Sequence, residues 1–186
     1  LKQSDWKQNN YLFIAFSGEE LGLYGSKHFV KQPTIELSSV NYMLNMDMLG
    51  RLEENTLIIN GAGTAPNWKT AFETIKTPAL DIQTHDSGVG ASDHTSFYLA
   101  DLPALHFFTG SHEDYHKPSD DSFRINYEGI YEVSQYILQL IAALDGEQKL
   151  VFTKTKDEEE RKVSAFRVTL GVMPDYASTG EGMRID

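Results

Sequence analysis

Residues 11–17 read YLFIAFS and run straight into Gly18, Glu19 and Glu20. A short apolar run that closes on small residues and a glycine has the pattern of a buried strand, and the two carboxylates stand where that strand ends. Beyond them, Leu21, Tyr24, Phe29 and Val30 fit a short helix closed off before Pro33. Residues 40–46 (VNYMLNM) predict a second strand and residues 55–60 (NTLIIN) a third. Residues 65–76 suit a helix that stops before Pro78, because the position ahead of a proline disfavours helical geometry. Residues 102–108 (LPALHFF) read as another buried strand. The clearest helix covers residues 127–144. There Tyr127, Ile130, Tyr131, Ser134, Ile137, Leu138, Ile141 and Leu144 form a stripe, with Asn126 as N-cap and Gly146 past the end.

Strands alternating with helices predict an α/β domain, a mixed and largely parallel sheet with helices on both faces. In such sheets functional residues gather at the carboxyl ends of strands. Glu19 and Glu20 follow the first strand, Asp47 follows the second, and the loop of residues 109–123 follows the last and should open onto the same edge. From residue 147 to 164 the chain turns polar around KTKDEEERK, a solvated linker by composition. Residues 166–173 (FRVTLGVM) look like a strand that begins something new.

Composition narrows the chemistry. A chain of 186 residues can bury one sizeable core, and 40% hydrophobic with 23% charged residues is ordinary for a globular protein. The formal net charge of −11 disfavours nucleic acid or an anionic membrane as the main partner. No apolar run approaches the ~18–20 residues needed to span a bilayer. With no cysteine in the sequence, cysteine catalysis and thiolate metal sites are excluded, and any metal must be held by His, Asp or Glu.

Several side chains then stand out. Adjacent carboxylates at a strand end can diverge, one binding a metal while the other takes the proton of an attacking water. The same pair would equally suit a helix amino terminus, where acidic groups favour the dipole. Asp47, in NMDMLGR, either caps a turn or binds something at the sheet edge. His116, in DYHKPSDD, is placed to be a ligand or to be an ordinary exposed loop histidine. Its neighbour Tyr115 has a phenol able to donate to an oxyanion. His28 reads as a surface residue and His106 as a hydrogen-bonded core residue. His85 and His112 read as loop residues, and His94 as part of a helix start capped by Ser92 or Asp93.

Four stretches in order, SGEELGLYGS (17–26), NMDMLGR (45–51), SDHTSFYLADLPALHFFTG (92–110) and DYHKPSDD (114–121), resemble the zinc aminopeptidases with a co-catalytic two-metal site. These are the transferrin-receptor-like peptidases, a family that also includes glutamate carboxypeptidases and glutaminyl cyclases. The resemblance covers residues 11–144. It implies that Glu19 is the general base, that Glu20 and His116 bind one Zn²⁺, that Asp47 binds the other, and that Tyr115 helps stabilise the tetrahedral intermediate. It implies peptide substrates, whose free ammonium is held by acidic groups near the metals. Carboxypeptidase, dipeptidase or glutaminyl cyclase action on the same scaffold is the nearest alternative, and a receptor-like binding protein without metals the next.

The family carries two more ligands upstream, a His and an Asp that bridges both metals. No His precedes Glu19 here, and Asp5 stands in a polar stretch of the wrong context. The expectation is therefore that residues 1–146 are the carboxyl-terminal part of a catalytic domain, incomplete at its amino-terminal side, which alone binds zinc weakly and turns over little substrate. Residues 147–164 would be a linker. Residues 165–186 resemble the opening of a bacterial PDZ domain, a module fused to some of these peptidases. Family habit implies an extracytoplasmic setting, periplasmic or secreted.

Overall fold

A computed structural model describes residues 8–77 and 79–155. In chain order the elements are α1 (Tyr24–Lys31), β1 (Met43–Met46), β2 (Thr56–Asn60), α2 (Asn67–Thr74), β3 (Asp81–His85), α3 (His94–Tyr98), β4 (Ala104–Phe108) and α4 (Tyr127–Leu144), with short 3₁₀ turns between them. The sheet order is β1-β4-β2-β3. β1 runs parallel to β4 and β2 parallel to β3, while β2 and β4 are antiparallel. The fold is thus the expected α/β domain with a mixed, largely parallel sheet.

The alternation of side chains along β4 explains why helices cover both faces. Leu105 and Phe107 point into a core with Leu57 and Ile59 of β2, Trp68 and Ala71 of α2, and Val133, Leu140 and Leu144 of α4. Ala104 points the other way, into a smaller core with Phe97 of α3, against which Phe29 of α1 and Phe16 also pack. The rings of Phe16, Phe29 and Phe97 meet pairwise with centroids 5.8–6.0 Å apart. Because β1 and β4 are parallel, the segments leaving their carboxyl ends emerge at one edge of the sheet, and that edge carries Asp47 and the loop after Phe108.

Four expectations need correction. Residues 11–17 do not form a strand: they pair with no described strand, and Leu12 and Phe13 are exposed. A strand is made by its hydrogen-bonded neighbour rather than by its apolar content, and of this apolar run only Tyr11 and Phe16 are even partly buried. β3 was not expected, because DIQTH offers a single aliphatic side chain and lies mostly exposed at the sheet margin. In α4 the ends and the cap are as read, with Asn126 Oδ1 accepting from the Gly129 amide at 2.8 Å. Its buried face, however, is Gly129, Val133, Tyr136, Ile137, Leu140, Ile141 and Leu144, while Tyr127 and Tyr131 face solvent. The helix turned because Gly129 lets it approach Leu52: a Cβ on that glycine would lie 2.7 Å from the Leu52 Cβ. The fourth concerns the start of the polar stretch. Leu150 and Thr155 are buried, the Thr153 amide donates to Thr64 O at 2.8 Å, and the Thr155 amide donates to Tyr98 Oη at 2.9 Å. Residues 150–155 are therefore strapped to the domain rather than solvated.

Asp5, residues 156–164 of the expected linker and the whole of residues 165–186 lie outside the described residues. Among the described residues no helix is long and apolar enough to cross a membrane.

Candidate functional site

Glu19 and Glu20 sit in a turn that precedes α1 rather than in the helix itself. The amides of Gly22 and Leu23 donate to Glu19 O, Tyr24 N donates to Gly18 O, and Gly25 N donates to Ser17 O. Gly25 is needed for that closure, since a Cβ there would lie 2.6 Å from Ser17 O. α1 begins at Tyr24 and has no acidic residue in its first turn. The reading of the pair as helix-dipole partners therefore falls away, and both carboxylates are left projecting from the turn.

Asp47 leaves β1 at the same edge. Its amide donates to Phe107 O at 3.2 Å, and Met48 after it adopts a left-handed backbone with φ 52°. That reversal turns the chain sharply away from the sheet and leaves the carboxylate at the rim. Asp47 Oδ2 accepts from Ser92 Oγ at 2.9 Å, and Ser92 Oγ accepts in turn from Asn45 Nδ2 at 2.7 Å. Asn45 and Ser92 are buried, so the relay behind Asp47 is anchored in the interior.

His116 comes from the loop after β4. Lys117 N donates to Asp114 O at 2.9 Å, closing a turn with Tyr115 and His116 at its centre. His116 takes φ 55°, a value favoured by Gly or Asn at the third position of such a turn. The imidazole stacks on the Tyr115 ring with centroids 3.8 Å apart. Its Nε2 lies 2.7 Å from Glu20 Oε1, so two side chains 96 residues apart in sequence meet at the sheet edge.

The electrostatics of this edge are unusual. Burial, followed by the nearby charges of Glu20, Asp47 and Asp93, pushes the Glu19 carboxyl up to about 7, and His116 opposes the shift. Asp93 is also raised, first by burial and then by Asp47, against a hydrogen bond from Ser26. Beneath them His94 and His106 stack with centroids 4.6 Å apart, both driven toward the neutral form by burial. Within this cluster lie all the expected acidic residues, while His85 ends β3 and His28 is exposed on α1. His112, read as a loop residue, lies 3.9 Å from Asp120 and edge-on to Tyr115.

Sequence reasoning missed Asn45, Ser92, Asp93 and Arg51 as contributors. Ser92 and Asp93 had been read as helix caps, yet α3 has no side-chain cap bond. Their SDH context was the signal available in the sequence.

The donor set suits a divalent cation in part. A carboxylate oxygen and an imidazole nitrogen share one point, with an uncapped carboxylate beside them, and these are zinc-type ligands. Among the described residues, however, no three His, Asp or Glu side chains are grouped so as to hold an ion by themselves.

Comparison with known proteins agrees with this architecture. The family profile described as Peptidase family M28 matches residues 1–141. Aminopeptidase YwaD of Bacillus subtilis (strain 168) is 30% identical over 138 residues, which is 67% of this chain and 30% of that protein. Among solved structures, BSAP, a zinc aminopeptidase from Bacillus subtilis, matches with a TM-score of 0.58 at 27% identity, over 76% of this chain and 38% of that one. LapA aminopeptidase of Legionella pneumophila gives 0.57 at 26% identity, over 73% and 39%. The chain spans about a third of the length of these relatives. With three-quarters of its residues inside the profile and its sheet edge built as described, the chain belongs to peptidase family M28.

Proposed function

We propose that this chain contributes the carboxyl-terminal part of the active site of a zinc-dependent aminopeptidase, which removes amino-terminal residues from peptides using two Zn²⁺ ions. The observation that carries the reading is the 2.7 Å approach of Glu20 Oε1 to His116 Nε2, with the Glu19 carboxyl raised to about 7 beside it. Glu20 and His116 would hold one ion and Asp47 the other, with the remaining ligands supplied from outside this chain's described residues. Bound zinc supplies Lewis acidity, lowering the pKa of a water and polarising a carbonyl.

The other steps belong to the protein. Glu19 is not engaged with His116 in the way Glu20 is, so its carboxylate remains available to accept the proton of the attacking water. Cations among these carboxylates would relieve the repulsion that raises Glu19 and bring its pKa down. Tyr115, fixed by stacking on His116, has a phenol suited to donating to the oxygen that gains charge. The residual negative charge around Glu19, Asp47 and Asp93 suits a substrate ammonium, which favours action at a free amino terminus.

The test is metal analysis of the full-length protein together with a screen of aminoacyl nitroanilides and their N-acetylated forms. Two zinc ions per chain and cleavage restricted to free amino termini are expected. One zinc with cyclisation of amino-terminal glutamine, or no metal and no turnover, would exclude the reading.

A further inference from the structure

Among the residues that tie the loops bearing Asp47 and His116, Arg51 has a chemistry that the catalytic reading leaves unused. Arg51 closes the short turn after Asp47 (Leu49–Arg51). Its Nη2 lies 3.1 Å from Asp114 Oδ2 and 2.6 Å from Asp120 Oδ1. Asp114 is the first residue of the turn that displays Tyr115 and His116, and Asp120 lies just beyond it. One guanidinium thus grips the His116 turn from both sides. The side chains of Arg51 and Asp114 are largely buried, at 13% and 11% exposure. Asp114 is held below the usual carboxylate range, first by a hydrogen bond from Ser119 and then by Arg51 and Arg124.

We infer that Arg51 is the positioning residue that sets Tyr115 and His116 against Glu20, while Asp47 is positioned independently of it. The asymmetry comes from what each side chain has behind it. The Asp47 carboxylate accepts from Ser92, which accepts from Asn45, and the hydrogen bonds of Arg51 among the described residues run instead to Asp114 and Asp120. His116 holds an uncommon left-handed backbone on an exposed turn, and its ring touches only Tyr115 and Glu20 among the contacts described above. A left-handed non-glycine residue persists where its surroundings over-determine it. Around this turn the polar ties to the Asp47 loop are Arg51 at its centre, with Thr109 Oγ1 donating to Met48 O and Asn126 N donating to Gly50 O at the loop's two ends. Both contacts come from Nη2, and a rigid planar guanidinium loses less freedom per hydrogen bond than an ammonium on a flexible stem.

This inference rests on the zinc reading above, and its test separates the two. In the full-length protein, zinc is titrated against a competing chelator for wild type, Arg51→Met, Arg51→Lys, Asp114→Asn and the Arg51→Met/Asp114→Asn double variant. Supporting groups behind metal ligands typically change affinity about 10- to 100-fold. Arg51→Met should weaken one of the two ions by that factor and leave the other as in wild type. Arg51→Lys should recover part of the loss, and the double variant should be no worse than the worse single one. A role in stability alone would lower the melting temperature without this selective loss. If Arg51→Met does not fold, Asp114→Asn, which keeps the side chain's shape, carries the same comparison. Wild-type affinity at both ions, or equal weakening of both, would overturn the inference and leave the peptidase reading intact. A wild-type protein that binds no zinc would instead sink that reading itself.

Discussion

Ser92 donates its hydroxyl proton to Asp47 Oδ2 across 2.9 Å and accepts from Asn45 on its other side, which leaves Oδ1 of Asp47 as the oxygen directed away from the relay. A carboxylate tethered by one oxygen keeps a single orientation for the other. Ser92→Ala should therefore lower the affinity of the full-length protein for one zinc by about 10- to 100-fold, with Asn45→Ala following in the same direction. Chelator competition measures both. Unchanged affinity in Ser92→Ala would show that the relay is merely structural.

Glu19→Gln removes a base without removing volume. If Glu19 carries the proton, turnover should fall by about 10²- to 10⁴-fold while zinc content and KM change little. Single-turnover kinetics alongside metal analysis checks this, and a variant retaining near-normal kcat would exclude Glu19 from proton transfer.

The orientation of α4 is open to a direct comparison. Leu140 is fully buried whereas Tyr131 is 61% exposed. Leu140→Ala should cost about 2–5 kcal/mol, the range for deleting a buried leucine, and Tyr131→Ala about 0.5 kcal/mol or less. Urea midpoints of the full-length protein give both values. A larger loss from Tyr131→Ala than from Leu140→Ala would mean that the helix presents the face its sequence stripe suggested.

Asn126 ties two elements together. Its Oδ1 caps α4 through Gly129 N, and its Nδ2 donates to Leu52 O at 2.9 Å. Asn126→Ala should cost about 1–2 kcal/mol, at the upper end for a lost cap because a second hydrogen bond goes with it. Asn126→Asp should keep the cap and lose the second bond, giving a smaller loss in the same measurement.

Burial raises the Tyr136 phenol well above its ordinary value near 10. The unfolded chain releases that proton near pH 10 while the folded chain keeps it. Folded protein therefore binds more protons above pH 10, and stability falls as pH rises through and beyond that point. Alkaline difference absorbance should show Tyr136 silent until the protein unfolds, and Tyr136→Phe should lessen the loss of melting temperature between pH 9 and pH 11. An identical alkaline loss in both proteins would refute the assignment.

Residue types and their spacing were enough to identify an α/β domain, the ends of α4 and the Asn126 cap, and to single out Glu19, Glu20 and Asp47 as candidates. Each of these depends on local periodicity, on a cap next to its helix, or on short motifs whose chemistry lies in neighbouring residues. Hydrogen-bonded pairing and side-chain meeting are different in kind, because they are decided by partners far along the chain. YLFIAFS has a strand's composition and no described neighbour to pair with, while DIQTH has a poor one and pairs with β2. The face of α4 was set by Gly129 against Leu52, a fit between two surfaces that periodicity does not contain. Likewise Glu20 and His116 were each readable as candidates, but their meeting depends on the parallel run of β1 and β4 and on ties between distant loops, the Arg51 grip on Asp114 among them.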